Sequence, residues 1–198
     1  LRNPVTVKVN IGTPLSTITH ALYPVGGHLK TEMLLALLYA TDTESVLVFT
    51  RTKHRAKKVG QQLERAGFKA TSLQGNLSQN RRQAAMAGFR DGSYQIMVAT
   101  DIAARGLDVS QITHVINYDM PDTADAYTHR IGRTGRAART GDAFTLSTSE
   151  DNDMVRAIEH AMGSRLERRT LPNFDYNAKA EDPRANARPS SQERIRAR

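Results

Sequence analysis

The octapeptide from His129 to Arg136, HRIGRTGR, places one histidine and three arginines around two glycines. Tyr127, Arg130 and Ile131 read as the last turn of a helix. Each glycine would cost about 1 kcal/mol if that helix ran on, so Gly132 is the expected stop. Arg133 and Arg136 then fall on a loop and project outward. A guanidinium is permanently charged and presents its donors as a fork, so two aimed outward suit phosphate oxygens. A solvated basic turn is the bland alternative. Ser78-Gln79-Asn80-Arg81-Arg82 offers a second anion site, because a helix start carries partial positive charge and unpaired N–H groups beside Gln79 and Arg82. An ordinary capped helix with surface arginines is as good a reading there. Thr100 brings a hydroxyl to a strand end, which suits one more phosphate. Asp101 reads as the cap of the short segment from Ile102 to Ala104. Asp108 leaves two readings open, partner of an arginine or acceptor for a ribose hydroxyl. His20, His28, His54, His114 and His160 show no ligand spacing, so no metal site is expected.

These residues need a scaffold that gathers distant turns. Short apolar runs, His20 to Val25, Val46 to Phe49, Ala70 to Leu73, Gln95 to Ala99, Val115 to Tyr118 and Ala143 to Leu146, read as strands buried on both faces. Between them run helical stripes: Leu29, Met33, Leu34, Leu37 and Leu38; then Ala56, Val59, Leu63 and Ala66, closed by Gly67. Ser78 caps a third helix through Phe89, and Thr148 with Asp151 forms a capping box for a helix ending at Gly163. Strands separated by helices imply βαβ crossovers, hence an α/β fold with an open, mostly parallel sheet and helices on both faces. Ligands of such sheets gather beyond the carboxyl ends of the strands. Four polar turns fall there: Phe49 to Lys53, Gln74-Gly75-Asn76, Thr100 to Asp108, and His129 to Arg136.

Composition narrows the partner. The 198 residues carry 28 Lys and Arg against 20 Asp and Glu, a net charge of +8, which favours a polyanion, with nucleic acid leading. The absence of cysteine excludes disulfides, thiol chemistry and cysteine-held metals. No apolar run approaches a membrane span, no secretory segment opens the chain, and the expected localisation is cytoplasmic. The chain starts at Leu1 without Met and reads as a piece of something longer. Residues 1–17 form a leader or interdomain linker, 18–164 the domain, and 165–198 a basic extension. That extension holds nine basic and five acidic residues with few apolar groups, and is expected to be poorly structured. There is no Gly-x-x-x-x-Gly-Lys-Ser/Thr loop and no Asp-Glu-x-Asp tetrad, so the chain alone is not expected to hydrolyse ATP.

VLVFTRTK from Val46, Ser78-Gln79-x-x-Arg82, VATDIAARGLD from Val98 to Asp108, and the HRIGRTGR segment resemble, in order, motifs IV, IVa, V and VI of the second RecA-like domain of DEAD-box RNA helicases. The resemblance runs from about Ile18 to Leu171. The residues Thr50 to His54 and Asn173 to Tyr176 look most like the bacterial RhlE-type branch. The chain departs at Gln74-Gly75-Asn76, where the family more often has His-Gly-Asp. The resemblance implies that Arg133 and Arg136 are arginine fingers toward ATP and Mg²⁺ bound mainly on a first RecA-like domain, and that Asp108 contacts the ribose. It further implies that Arg51, Gly75, Gln79, Arg82 and Thr100 lie on a single-stranded RNA path, and that His129 and Arg130 couple the two domains. The full-length protein would then be an RNA-stimulated ATPase and helicase that separates short duplexes locally. A stand-alone RNA-binding or protein-interaction module is the alternative. Oligomeric state is not legible.

Overall fold

The computed structural model describes residues 17–107, 109, 111–135 and 140–179. Strands β1 (Ile18–Pro24), β2 (Val46–Phe49), β3 (Ala70–Leu73), β4 (Ile96–Ala99), β5 (His114–Asn117), β6 (Gly141–Ser147) and β7 (Glu167–Arg168) form one sheet in the order β3-β4-β2-β5-β6-β1-β7. Every pairing is parallel. The helices are α1 (Lys30–Ala40), α2 (Lys53–Arg65), α3 (Gln79–Arg90), α4 (Asp101–Ala104), α5 (Ala124–Ile131) and α6 (Asn152–Met162). The expected α/β architecture is met.

Strand alternation divides the core. Val46 and Val48 of β2 face α1 and α2, in a layer with Leu34, Leu37, Val59 and Leu63. Leu47 and Phe49 face the other way, toward Ala85 and Phe89 of α3 and Ala103 and Ala104 of α4. Further along that second face, Tyr127 and Ile131 of α5 pack with Val155 and Ile158 of α6. Connections that step toward β3 therefore use one face and those that step toward β7 use the other, as right-handed crossovers require. Neighbouring strands β2 and β5 consequently send their chains to opposite faces, which leaves a crevice beyond their carboxyl ends.

Local signals behave as their chemistry dictates. Ser78 and Thr123 accept from Arg81 and Ala126 backbone N–H groups and cap α3 and α5. Asp151 accepts from both the N–H and the hydroxyl of Thr148, at 2.8 and 2.9 Å, completing the capping box. Gly163 ends α6 with φ of 68°. Two features differ from expectation. β1, β5 and β6 begin earlier, at Ile18, His114 and Gly141, because backbone pairing continues through polar residues that interrupt the apolar runs; β4 begins one residue later, at Ile96, and β1 and β5 end one residue sooner, at Pro24 and Asn117. The body also extends past residue 164. β7 pairs with β1, Leu166 is buried, and Leu171, Phe174, Tyr176 and Ala178 pack on the α1 layer, so residues 165–179 are held by a few well-placed apolar groups. The leader through residue 16 and the extension from 180 lie outside the described residues.

Tyr127 lies at the centre of the second face, with its hydroxyl 3.2 Å from His20 Nδ1. Burial, slightly offset by a hydrogen bond to Thr145, pushes that hydroxyl from 10.0 up to about 12. Because the folded value is the higher one, the neutral phenol stabilises the fold fully below pH 10, and that stability is lost as pH rises toward 12. Denaturant melts across this window are expected to show a shallower alkaline loss for Tyr127→Phe. Tyr23 and Tyr118, whose hydroxyls burial also raises, add to the same alkaline loss. Identical pH profiles for variant and parent would refute the assignment.

Candidate nucleotide and nucleic-acid edge

The crevice beyond β2, β4 and β5 is organised by one buried cation. Arg130, in the last turn of α5, is only 3% exposed. Its Nε and Nη2 each donate at 2.7 Å to the two carboxylate oxygens of Asp101, and its Nη1 donates to Asp119 O at 2.7 Å and Asn117 Oδ1 at 3.2 Å. The guanidinium also lies 5.1 Å from the Phe49 ring centroid, a cation–π contact. Asn117 in turn donates to Thr145 at 3.0 Å. One side chain thus ties the carboxyl ends of β2, β4 and β5 to α5. The reading of Asp101 as a helix cap is corrected here. Thr100 caps α4 by accepting from the Ala103 N–H, which leaves the Asp101 carboxylate for Arg130.

Asp119 is the second organising residue. Its buried carboxylate accepts the Arg51 backbone N–H at 2.8 Å and Arg55 Nη1 at 2.6 Å, fixing the turn after β2 against the end of β5. Sequence reasoning passed over Asn117 and Asp119. Their signal was available: polar residues closing the apolar run of β5, at the edge where ligands gather.

The loop after α5 is clamped on both sides. Gly132 takes the helix C-cap position, its N–H bonded to Thr128 O at 3.0 Å. Thr134 is fully buried and its hydroxyl is shared between the carbonyls of Ile112 and Thr113, at 2.7 and 2.9 Å. Gly141 makes the seat possible, since a Cβ there would collide with Thr134 Oγ1. Between these anchors half-buried Arg133 donates to Leu107 O at 3.2 Å. Arg133 joins Asp101, Arg105, exposed His129 and Arg130 in lining an open cavity of about 320 Å³, floored by Phe49. Its guanidinium and imidazole donors suit the oxygens of a polyphosphate. Among the described residues no group of three His, Asp or Glu side chains has the geometry to hold a metal ion. Asp108 and Arg136 lie outside the described residues.

The remaining expected positions lie along the same edge. Arg51 is exposed, with Nε 3.5 Å from Asp122. Lys53 donates to Asn76 at 3.1 Å and joins the first two turns. Gly75 has open space around it, with nothing within 4 Å of a built Cβ. Gln79 is exposed at the start of α3, while Arg82 donates to Ala103 O at 2.8 Å and links α3 to the Thr100 turn. The first three turns and the His129 to Arg133 part of the fourth therefore share the carboxyl edge of the sheet, whereas Thr134 and Gly135 reach the amino ends of β5, β6 and β1. The two readings of the Arg130 position diverge: the resemblance implies an interdomain contact, and the side chain is turned inward.

The family of the helicase conserved C-terminal domain matches residues 29–138. The chain is 40% identical over 176 residues to the DEAD-box ATP-dependent RNA helicase CshA of Bacillus licheniformis, covering 88% of this chain and 36% of that protein. It is 45% identical over 170 residues to the RNA helicase CrhR of Synechocystis, covering 85% and 34%. The chain thus spans about a third of the length of these relatives. Among solved structures it resembles the E. coli DEAD-box protein SrmB bound to regulator of ribonuclease activity A, with a TM-score of 0.77 and 31% identity over 83% of this chain and 98% of that one. It also resembles S. cerevisiae Dbp5 bound to RNA and ADP BeF3, with a TM-score of 0.71 and 28% identity over 77% and 41%.

Removing the charge of Asp101 leaves a buried guanidinium without its carboxylate. Breaking a fully buried pair costs about 3 to 5 kcal/mol. The Asp101 side chain is 48% exposed, so water compensates in part and Asp101→Asn is expected to destabilise by about 2 kcal/mol. Urea denaturation tests this, and a loss below about 0.5 kcal/mol, the level of an ordinary surface pair, would refute the organising role of the contact.

Proposed function

Because the chain belongs to the helicase conserved C-terminal domain family, as the second RecA-like domain of a DEAD-box RNA helicase, we propose that it works as one half of an ATP-dependent RNA-unwinding enzyme. A first domain would hold ATP and Mg²⁺. This chain would present Arg133 and Arg136 to the γ-phosphate, with Asp108 at the ribose. Bound ATP supplies the phosphoryl group and the charge that draws the two halves together. The residues of this chain do the rest by position. Arg130 acts from within, by holding the strand ends and the loop that carries Arg133, while His129 faces the partner domain.

The observation that carries this reading is the convergence of the Arg133 cavity and the Arg51, Gly75, Gln79, Arg82 and Thr100 turns on one edge. Closure against that edge would bring nucleotide and RNA under control of the same motion. Contacts from arginine, hydroxyl and glycine backbone suit phosphate and sugar, so binding should depend on salt and not on sequence. Local strand separation by bending one strand follows.

An arginine finger is worth about 10³ to 10⁵ in rate. Arg133→Ala in the full-length protein is expected to abolish RNA-stimulated ATP turnover while thermal melting stays unchanged. This chain mixed with a separately expressed first domain and RNA is expected to restore turnover that neither piece shows alone. Parental turnover in the variant would remove Arg133 from the chemistry, and turnover by this chain alone would overturn the half-site reading.

A further inference from the structure

The excess positive charge of the chain is not spread over it. Helix α2 carries Lys53, Arg55, Lys57, Lys58 and Arg65 against a single acid, Glu64, a net of four positive charges on 13 residues and half of the chain's +8. Residues 165–198, with nine basic and five acidic side chains, supply the other half, so the rest of the chain, leader included, sums to zero. Ala56, Val59, Gly60 and Leu63 form the buried stripe of α2. At 100° per residue, His54, Lys58, Gln61 and Arg65 lie on the opposite side, with Lys57 at the flank. All five are exposed, and no carboxylate pairs with Lys57, Lys58 or Arg65 among the described residues. Arg55 alone is drawn away, to Asp119.

We propose that this outer face of α2 is a second RNA-binding surface, which takes the phosphate backbone of the duplex flanking the single strand. The inference rests on the RNA reading above and extends it to a new surface. α2 begins two residues after Arg51, and its first residue, Lys53, already bonds Asn76 in the neighbouring turn. From there the basic row runs some 18 Å away from the edge, at 1.5 Å per residue. An acidic protein partner fits less well. Protein interfaces are depleted in lysine and centre on aromatic or other apolar groups, and the exposed side of α2 has none. Lysines on flexible stems with no fixed partner are suited to a polyanion bound through counterion release.

The test uses the whole chain and two labelled RNAs, a short single strand and a hairpin bearing that strand as an overhang, titrated over a range of salt. Lys57→Gln/Lys58→Gln/Arg65→Gln keeps good helix formers at every position. For the hairpin, the variant is expected to lower the slope of log affinity against log salt by about 2 to 3, one unit or slightly less per lost phosphate contact. For the single strand the slope should stay as in the parent, and far-UV circular dichroism should report an unchanged melt. An unchanged hairpin slope, the result expected if α2 serves an acidic protein, overturns the proposal. Arg51→Ala/Arg82→Ala separates the two levels. If that pair weakens single-strand binding while the α2 triple leaves the hairpin slope unmoved, only the second surface falls. If the parent chain binds neither RNA, both fall.

Discussion

A guanidinium cannot shed its charge, so burying Arg130 obliges the surrounding chain to answer it in full. Three positions do so: the paired carboxylate oxygens of Asp101, the Asn117 side chain and the Asp119 carbonyl, with the Phe49 ring below. Loss of any of them leaves a charge in a medium that solvates it poorly. The ends of β2, β4 and β5 and the end of α5 are therefore fixed relative to one another by the cost of the alternative. A lysine of similar length has no fork with which to meet two carboxylate oxygens in parallel.

That the answering groups come from separate parts of the chain follows from topology. Right-handed crossovers send α2 to one face of the sheet and α4 and α5 to the other, which opens a crevice where β2 lies between β4 and β5. Water-exposed cations at such an edge would repel each other and splay the turns. Here Asp101, Asp119 and Asp122 answer Arg130, Arg55 and Arg51, while Arg105 and Arg133 also line the cavity. The chain's net excess of positive charge sits on α2 and on residues beyond 164, the rest of the chain summing to zero.

Much of this was legible before any coordinates. Apolar runs of four to six residues separated by helical stripes specify the parallel sheet, and β2 and β3 fall where the runs place them. The HRIGRTGR segment announces a helix stop and a charged loop through its glycines alone. The roles of Asp101 and Asp119 were not legible. A carboxylate after a strand is compatible with a cap, an ion pair or solvent, and which one occurs depends on a guanidinium 29 residues away for Asp101 and on a backbone N–H 68 residues away for Asp119. The order in residues 165–179 was hidden for a related reason. Leu166, Leu171, Phe174 and Tyr176 are too sparse to form a periodic stripe, and they gain their partners only once β1 and α1 are in place.

On the proposed reading, the way the loop after α5 is held would have a functional consequence. Electrostatic stabilisation of a developing charge is effective when the donor is already in position and no reorganisation accompanies the reaction. Arg133 sits one residue after a helix cap and one residue before a threonine whose hydroxyl is locked to two carbonyls, and it is further restrained by Leu107 O. Its backbone therefore has little freedom even before a partner domain arrives. If a first domain closes on this one as proposed, closure would bring two prepared surfaces together, with the ordering of the loop already supplied by folding. The same buried network that stabilises this part of the structure would thus lower the entropy that such an assembly must overcome.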